Sequence, residues 1–239
     1  MSSQPNLRLK GSRRDNEILR VIEEWGVLNT DQVQAIFFAK KDDGKPFVYG
    51  QRKAQERLLD LHRSGKLHRQ MVEGIYCYSL DPKGLLKHRV AVNWIRLWMP
   101  EQKATWEKFH SWNYEQDYKI VRCDGFAAYK NTVAGKFRFA FIEMDRGTNS
   151  FDKVKKYNTL YETEKYYSNS WWLPLTARFP PTVIVTVHPD RKRLIQSHIE
   201  AENKNKLEFQ VKLLDDIRKE VMQKCCSPTQ APVTEHSTG

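Results

Sequence analysis

Apolar residues recur at helical spacing from Arg13 onward. Ile18, Leu19, Ile22 and Trp25 predict a first helix, with Asp15 as its cap and Gly26 as its stop. Asn29 and Thr30 precede Val33, Ile36 and Phe37, which predict a short second helix. The polar stretch Lys40–Pro46, with Gly and Pro, reads as a loop. A third helix is expected over Tyr49–Ser64, with Leu58, Leu59 and Leu61 inward and Gly65 ending it. Lys66–Gln70 and Tyr76–Leu80 then read as two strands joined across Glu73-Gly74. Three helices followed by a hairpin is the order of a winged helix-turn-helix.

The second half changes texture. A linker helix is expected from Asp81-Pro82 to Trp98, closing at Met99-Pro100. Ile120–Lys130 and Lys136–Asp145 read as strands around an Asn131–Gly135 hairpin loop. A helix is expected over Ser150–Tyr167. Thr182–Val187 is a short β-branched run suited to a buried strand. Pro189 opens a helix reaching Lys204, and Leu207–Leu214 reads as a last strand. The domains expected are a basic arm (1–12), a winged helix (13–80), a linker helix (81–100), an α/β domain (101–224) and a disordered Ser/Thr/Pro-rich tail (225–239).

Charge narrows the partner class. The chain of 239 residues carries 40 Lys and Arg against 29 Asp and Glu, a net charge of +11. That excess favours polyanions. The membrane is set aside as a partner, because no apolar run approaches the roughly 20 residues of a spanning helix. The 4 cysteines make no CxxC pair and no disulfide framework, which fits reduced thiols in a cytoplasm.

In a helix-turn-helix the third helix enters the major groove. Here it carries Tyr49, Gln51, Arg52, Lys53, Gln55 and Arg57, and Gln and Arg make bidentate contacts to base edges. The hairpin adds Lys66, His68 and Arg69, suited to phosphates or the minor groove. The arm and first helix add Arg8, Lys10, Arg13 and Arg14. These cations lie on separate segments that a winged helix would gather. A solvated charged helix is the plainer alternative. Double-stranded DNA is the expected partner.

The sharpest constellation in the second half is Cys123-Asp124 followed by Glu143-Met144-Asp145-Arg146-Gly147-Thr148. The hairpin register sets Asp124 nearly opposite Glu143, and the two-residue strand period puts Glu143 and Asp145 on one face. Crowded carboxylates need a cation. Mg²⁺ or Mn²⁺ on Asp124 and Glu143 is one solution. A basic partner is the other: Arg122, Arg146, Lys155, or, foremost, Lys153 or Lys156 from the next helix.

This segment resembles the replication-relaxation family of bacterial plasmids, phages and integrative elements. The resemblance continues through Lys155-Lys156-Tyr157 and through Phe179–Thr186, running into a helix with Arg191 and Arg193. It covers about residues 13–220. It implies an α+β/α/β chain: a winged helix-turn-helix followed by a restriction-endonuclease-like α/β domain with a mixed central sheet. In that nuclease pattern a strand Asp and a Glu-x-Lys hold a metal and activate water. Asp124 and Glu143 match the carboxylates, but Asp145 stands where the Lys belongs. The expected function is therefore sequence-specific, non-enzymatic DNA binding that controls replication, transfer or transcription, with no cofactor. A homodimer and contacts to replication or transfer proteins fit that role. The alternatives are a Mg²⁺- or Mn²⁺-dependent endonuclease using Asp124, Glu143, Asp145 and Lys153 or Lys156, and an adaptor recruiting replication proteins.

Overall fold

The computed structural model describes residues 13–41, 44–81, 86–148, 150–163, 175–176 and 178–226. The expected arm, with Arg8 and Lys10, lies outside them, as does the tail past Cys226. The chain divides into two compact units, one of residues 1–90 with 222–239 and one of 91–221. The division falls within α4 (Leu86–Trp98) and within α7 (Leu214–Cys226). No helix among the described residues is long and apolar enough to cross a membrane.

The first unit runs α1 (Arg13–Trp25), β1 (Leu28–Asn29), α2 (Thr30–Phe37), α3 (Gly50–Arg63), β2 (His68–Val72) and β3 (Ile75–Ser79). Its sheet is antiparallel in the order β1-β3-β2. A capping box starts α2. The Asn29 side chain accepts from the Gln32 backbone N–H at 2.8 Å, and the Gln32 side chain accepts from the Asn29 N–H at 3.0 Å. Asp15, expected to cap α1, instead lies inside it. It is buried, and its carboxylate receives the Arg57 guanidinium of α3. The hairpin turns at Glu73 and Gly74, both at positive φ (51° and 78°), the conformation that matches strand twist. Ile18, Ile22, Leu28, Val33, Leu58 and Leu61 close the core among the three helices and the sheet.

The second unit follows a 3-10 turn (Met99–Gln102) with β4 (Glu107–Tyr114), β5 (Gly125–Asn131), β6 (Phe137–Asp145), α5 (Lys153–Glu162), β7 (Thr182–Thr186), α6 (Pro189–Glu202) and β8 (Phe209–Leu213). The sheet order is β4-β5-β6-β7-β8. Pairing is antiparallel through β6 and parallel beyond it, so the sheet is mixed. The Asn131 side chain accepts from the Val133 and Ala134 N–H groups and shapes the β5–β6 turn.

Several expectations need correction. β1, β4 and α7 were not anticipated. β5 starts at Gly125 rather than Ile120, because residues 115–124 loop back between β4 and β5. Helix α5 ends at Glu162; its expected extension to Tyr167 runs past the described residues. Phe126, Phe139, Phe141, Tyr157 and Leu160 form one apolar cluster between sheet and α5, and Val154, Ile184 and Ile195 form another beneath α6.

Candidate functional site

The exposed surface of α3 carries Gln51, Arg52, Lys53 and Gln55, with Tyr49 just ahead of it. Ala54, Leu58 and Leu61 face the core and fix the helix rotation. Arg52 pairs with Glu56 one turn on, at 2.7 Å. The Gln51 amide donates to Asp31 Oδ1 at 3.3 Å. On the hairpin, Lys66, His68 and Arg69 are exposed. The Arg69 guanidinium stacks on the Tyr76 ring, 4.2 Å from its centroid.

Two of the expected DNA contacts, Arg57 and Arg14, are held against the fold. Arg57 is half-buried and pairs with Asp15, tying α3 to α1, so it belongs to the fold rather than to the outer face. Arg14 packs over the rings of Phe38 and Phe47, 5.4 and 5.8 Å from their centroids. Arg13 is exposed and pairs with Glu17 at 3.1 Å.

The carboxylates of the second unit meet where the sheet changes from antiparallel to parallel. Gly125 pairs with Ile142, so Asp124 falls beside Glu143 at the end of β5. Asp124 Oδ2 accepts the Met144 backbone N–H at 2.7 Å. Glu143 is buried. Its Oε2 lies 2.8 Å from Lys153 Nζ, and its Oε1 accepts from the Tyr157 hydroxyl at 2.8 Å. Lys153 Nζ also donates to the Arg122 carbonyl at 3.0 Å. Asp145 has a different partner: Arg191 of α6 grips it with two bonds, Nε to Oδ2 at 2.6 Å and Nη2 to Oδ1 at 3.1 Å.

The electrostatics follow from burial. Loss of water pushes the Glu143 carboxyl up to about 7; the Lys153 ammonium opposes the rise and Asp124 adds to it. Burial works to lower the Lys153 pKa, but Glu143 and Asp124 outweigh it and hold the ammonium charged. Burial, then Glu143, raises the Tyr157 phenol well above its ordinary value, so it stays a donor.

Lys156, expected as an alternative cation, pairs instead with Asp152 at 2.8 Å on a solvent-facing side of α5. Tyr157 and Arg191 are partners that the sequence left without a role. The signal for Tyr157 was its spacing: Lys153 and Tyr157 are four apart and share one helix face. Lys156 does not share it. Both Glu143 oxygens are engaged, and no group of three or more His, Cys, Asp or Glu among the described residues is placed to hold a metal.

No protein-family model matches the chain. No curated protein matches it. Among solved structures, the restriction endonuclease FokI is similar at a TM-score of 0.35 and 10% identity, over 88% of this chain and 44% of that one. The chain thus spans less than half of that structure.

Proposed function

We propose that the protein binds duplex DNA sequence-specifically through α3, with residues 13–80 acting as a winged helix-turn-helix. The observation that carries this reading is the exposed row Gln51, Arg52, Lys53 and Gln55 on α3, in the same unit as exposed Lys66, His68 and Arg69. The element order of that unit, with two strands after α3, agrees with it. The net charge of +11 supplies the attraction for phosphate. The resemblance to the replication-relaxation family supplies the setting: control of replication, transfer or transcription on a mobile genetic element, with a homodimer reading a two-fold site.

On this reading the second unit is a non-hydrolytic relative of the restriction-endonuclease-like fold. Its cation reaches Glu143 from α5 and saturates it rather than leaving it open for a metal. The test uses the full chain in two assays. Duplex binding should weaken with salt by about 0.9 log units of affinity per log unit of salt for each phosphate contact. Supercoiled plasmid with Mg²⁺ or Mn²⁺ should remain intact. No duplex affinity at low salt would overturn the DNA reading. Nicking that stops on Glu143→Ala would replace the non-hydrolytic reading with the nuclease one.

A further inference from the structure

Between α3 and β3 of the first unit lies a cleft of about 420 Å³, within the range of roughly 300–1,000 Å³ typical of small-molecule pockets. Its walls differ from a phosphate groove. Asp31 contributes a carboxylate, Gln51 and Gln55 contribute amides, and Tyr76 contributes an exposed ring with Arg69 stacked on it. Tyr78 lies deeper, buried beside Arg69. The strand register explains the stack: Met71 pairs with Tyr76 and Arg69 with Tyr78, so Arg69 reaches Tyr76 diagonally on one face of the hairpin.

A carboxylate in the wall repels phosphate. It accepts from an exocyclic amine, as acidic side chains do with cytosine. Amides read the remaining base edge, and flat aromatic or guanidinium surfaces stack bases. Asp31 also accepts from the amide nitrogen of Gln51 at 3.3 Å, and the other end of that side-chain amide is an acceptor. The Asp31 carboxylate and the Tyr76 ring together favour a flat heterocycle carrying an amine.

We infer that this cleft takes one unpaired nucleobase with an exocyclic amine, stacked against the Tyr76–Arg69 pair and hydrogen-bonded by Asp31 and Gln51. The inference rests on the duplex-DNA reading and deepens it: the protein selects duplexes in which one base is out of the stack. Extrusion is least costly where the base is already unpaired.

The experiment compares the full chain on a paired duplex, the same duplex with a single adenine bulge, and one with a single thymine bulge. The adenine-bulged duplex should bind about fivefold tighter than the paired one, the lower end of what stacking one base on an aromatic side chain supplies. A 2-aminopurine at the bulge should lose fluorescence on binding as it stacks. Tyr76→Ala should bring the bulged-to-paired ratio to about one, while Tyr76→Phe, which keeps the ring, should preserve it. Asp31→Asn should lower the preference for adenine over thymine. Equal affinity for bulged and paired duplexes, or an unchanged ratio in Tyr76→Ala, would overturn the base cleft and leave the duplex reading standing. No affinity for any of the three duplexes would overturn both.

Discussion

Lys153, the first residue of α5, meets Glu143 of β6 at 2.8 Å, while Lys156 on the same helix meets Asp152 at the same distance in solvent. The two lysines should therefore behave differently. Lys153→Ala leaves a buried carboxylate without its ammonium and should cost about 3 kcal/mol, limited because Glu143 can take a proton. Lys156→Ala removes an exposed i,i+4 pair and should cost about 0.5 kcal/mol or less. Urea denaturation of both variants decides it. Equal losses would show that the 2.8 Å pair contributes no more than a surface one.

Glu143 also sets a pH dependence. Its pKa of about 7 in the folded protein lies above the ordinary 4.5, so folding favours the protonated form. The stability it contributes is complete below about pH 4.5 and is lost as pH rises through 7. The loss should be on the order of 3 kcal/mol. Glu107, held low chiefly by Arg138, runs the other way, contributing above its ordinary value and losing that contribution in acid. The measurement is thus the difference between wild type and Glu143→Gln from pH 4.5 to 7. Parallel curves would show that Glu143 titrates outside this window.

Arg57 and Arg52 lie on one helix but predict opposite phenotypes. Arg57→Ala leaves Asp15 buried without its guanidinium, so the melting temperature should fall, by an amount corresponding to about 1–2 kcal/mol once the partial exposure of Arg57 is discounted. Arg52→Ala should leave melting nearly unchanged and cost about 1–3 kcal/mol of binding at its cognate base. Arg69→Ala should weaken cognate and scrambled duplexes alike. Equal losses on both duplexes for Arg52→Ala would remove Arg52 from the readout.

Gly50 begins α3 against the end of α2. A Cβ there would stand 2.3 Å from the Phe38 carbonyl oxygen, which is backbone and cannot turn away. Gly50→Ala should shift the start of α3 and destabilise the unit by about 1–3 kcal/mol. Differential scanning calorimetry tests this; an unchanged transition would mean that the α2–α3 junction yields freely.

The hairpin around Asn131 was legible, and with it the meeting of Asp124 and Glu143, because a turn signal and a two-residue period fix a register. β4 was not. Its bulge between Phe109 and Ser111 shifts the phase, so the apolar positions Phe109 and Trp112 break strict alternation. Arg57 was misread for another reason. Charge alone cannot separate a groove-facing guanidinium from one paired 42 residues away. Arg191 was visible, but nothing local tied it to Asp145, since the link depends on the parallel crossover through β7. The α2 cap was fully readable, because Asn29 and Gln32 carry it within one turn.

The change of strand direction at β6 bears on the order of folding. Its antiparallel neighbour β5 is one short turn away, whereas its parallel neighbour β7 comes only after α5 and the chain up to Thr182. Closing that longer loop costs entropy before any parallel contact forms. Asp124 and Glu143 are brought together by the local hairpin, and Arg191 can reach Asp145 only once the crossover has closed. Lys153 follows β6 closely in the chain and meets Glu143 from α5, whereas the Asp145 carboxylate gains its guanidinium only with the crossover that adds β7 to the sheet.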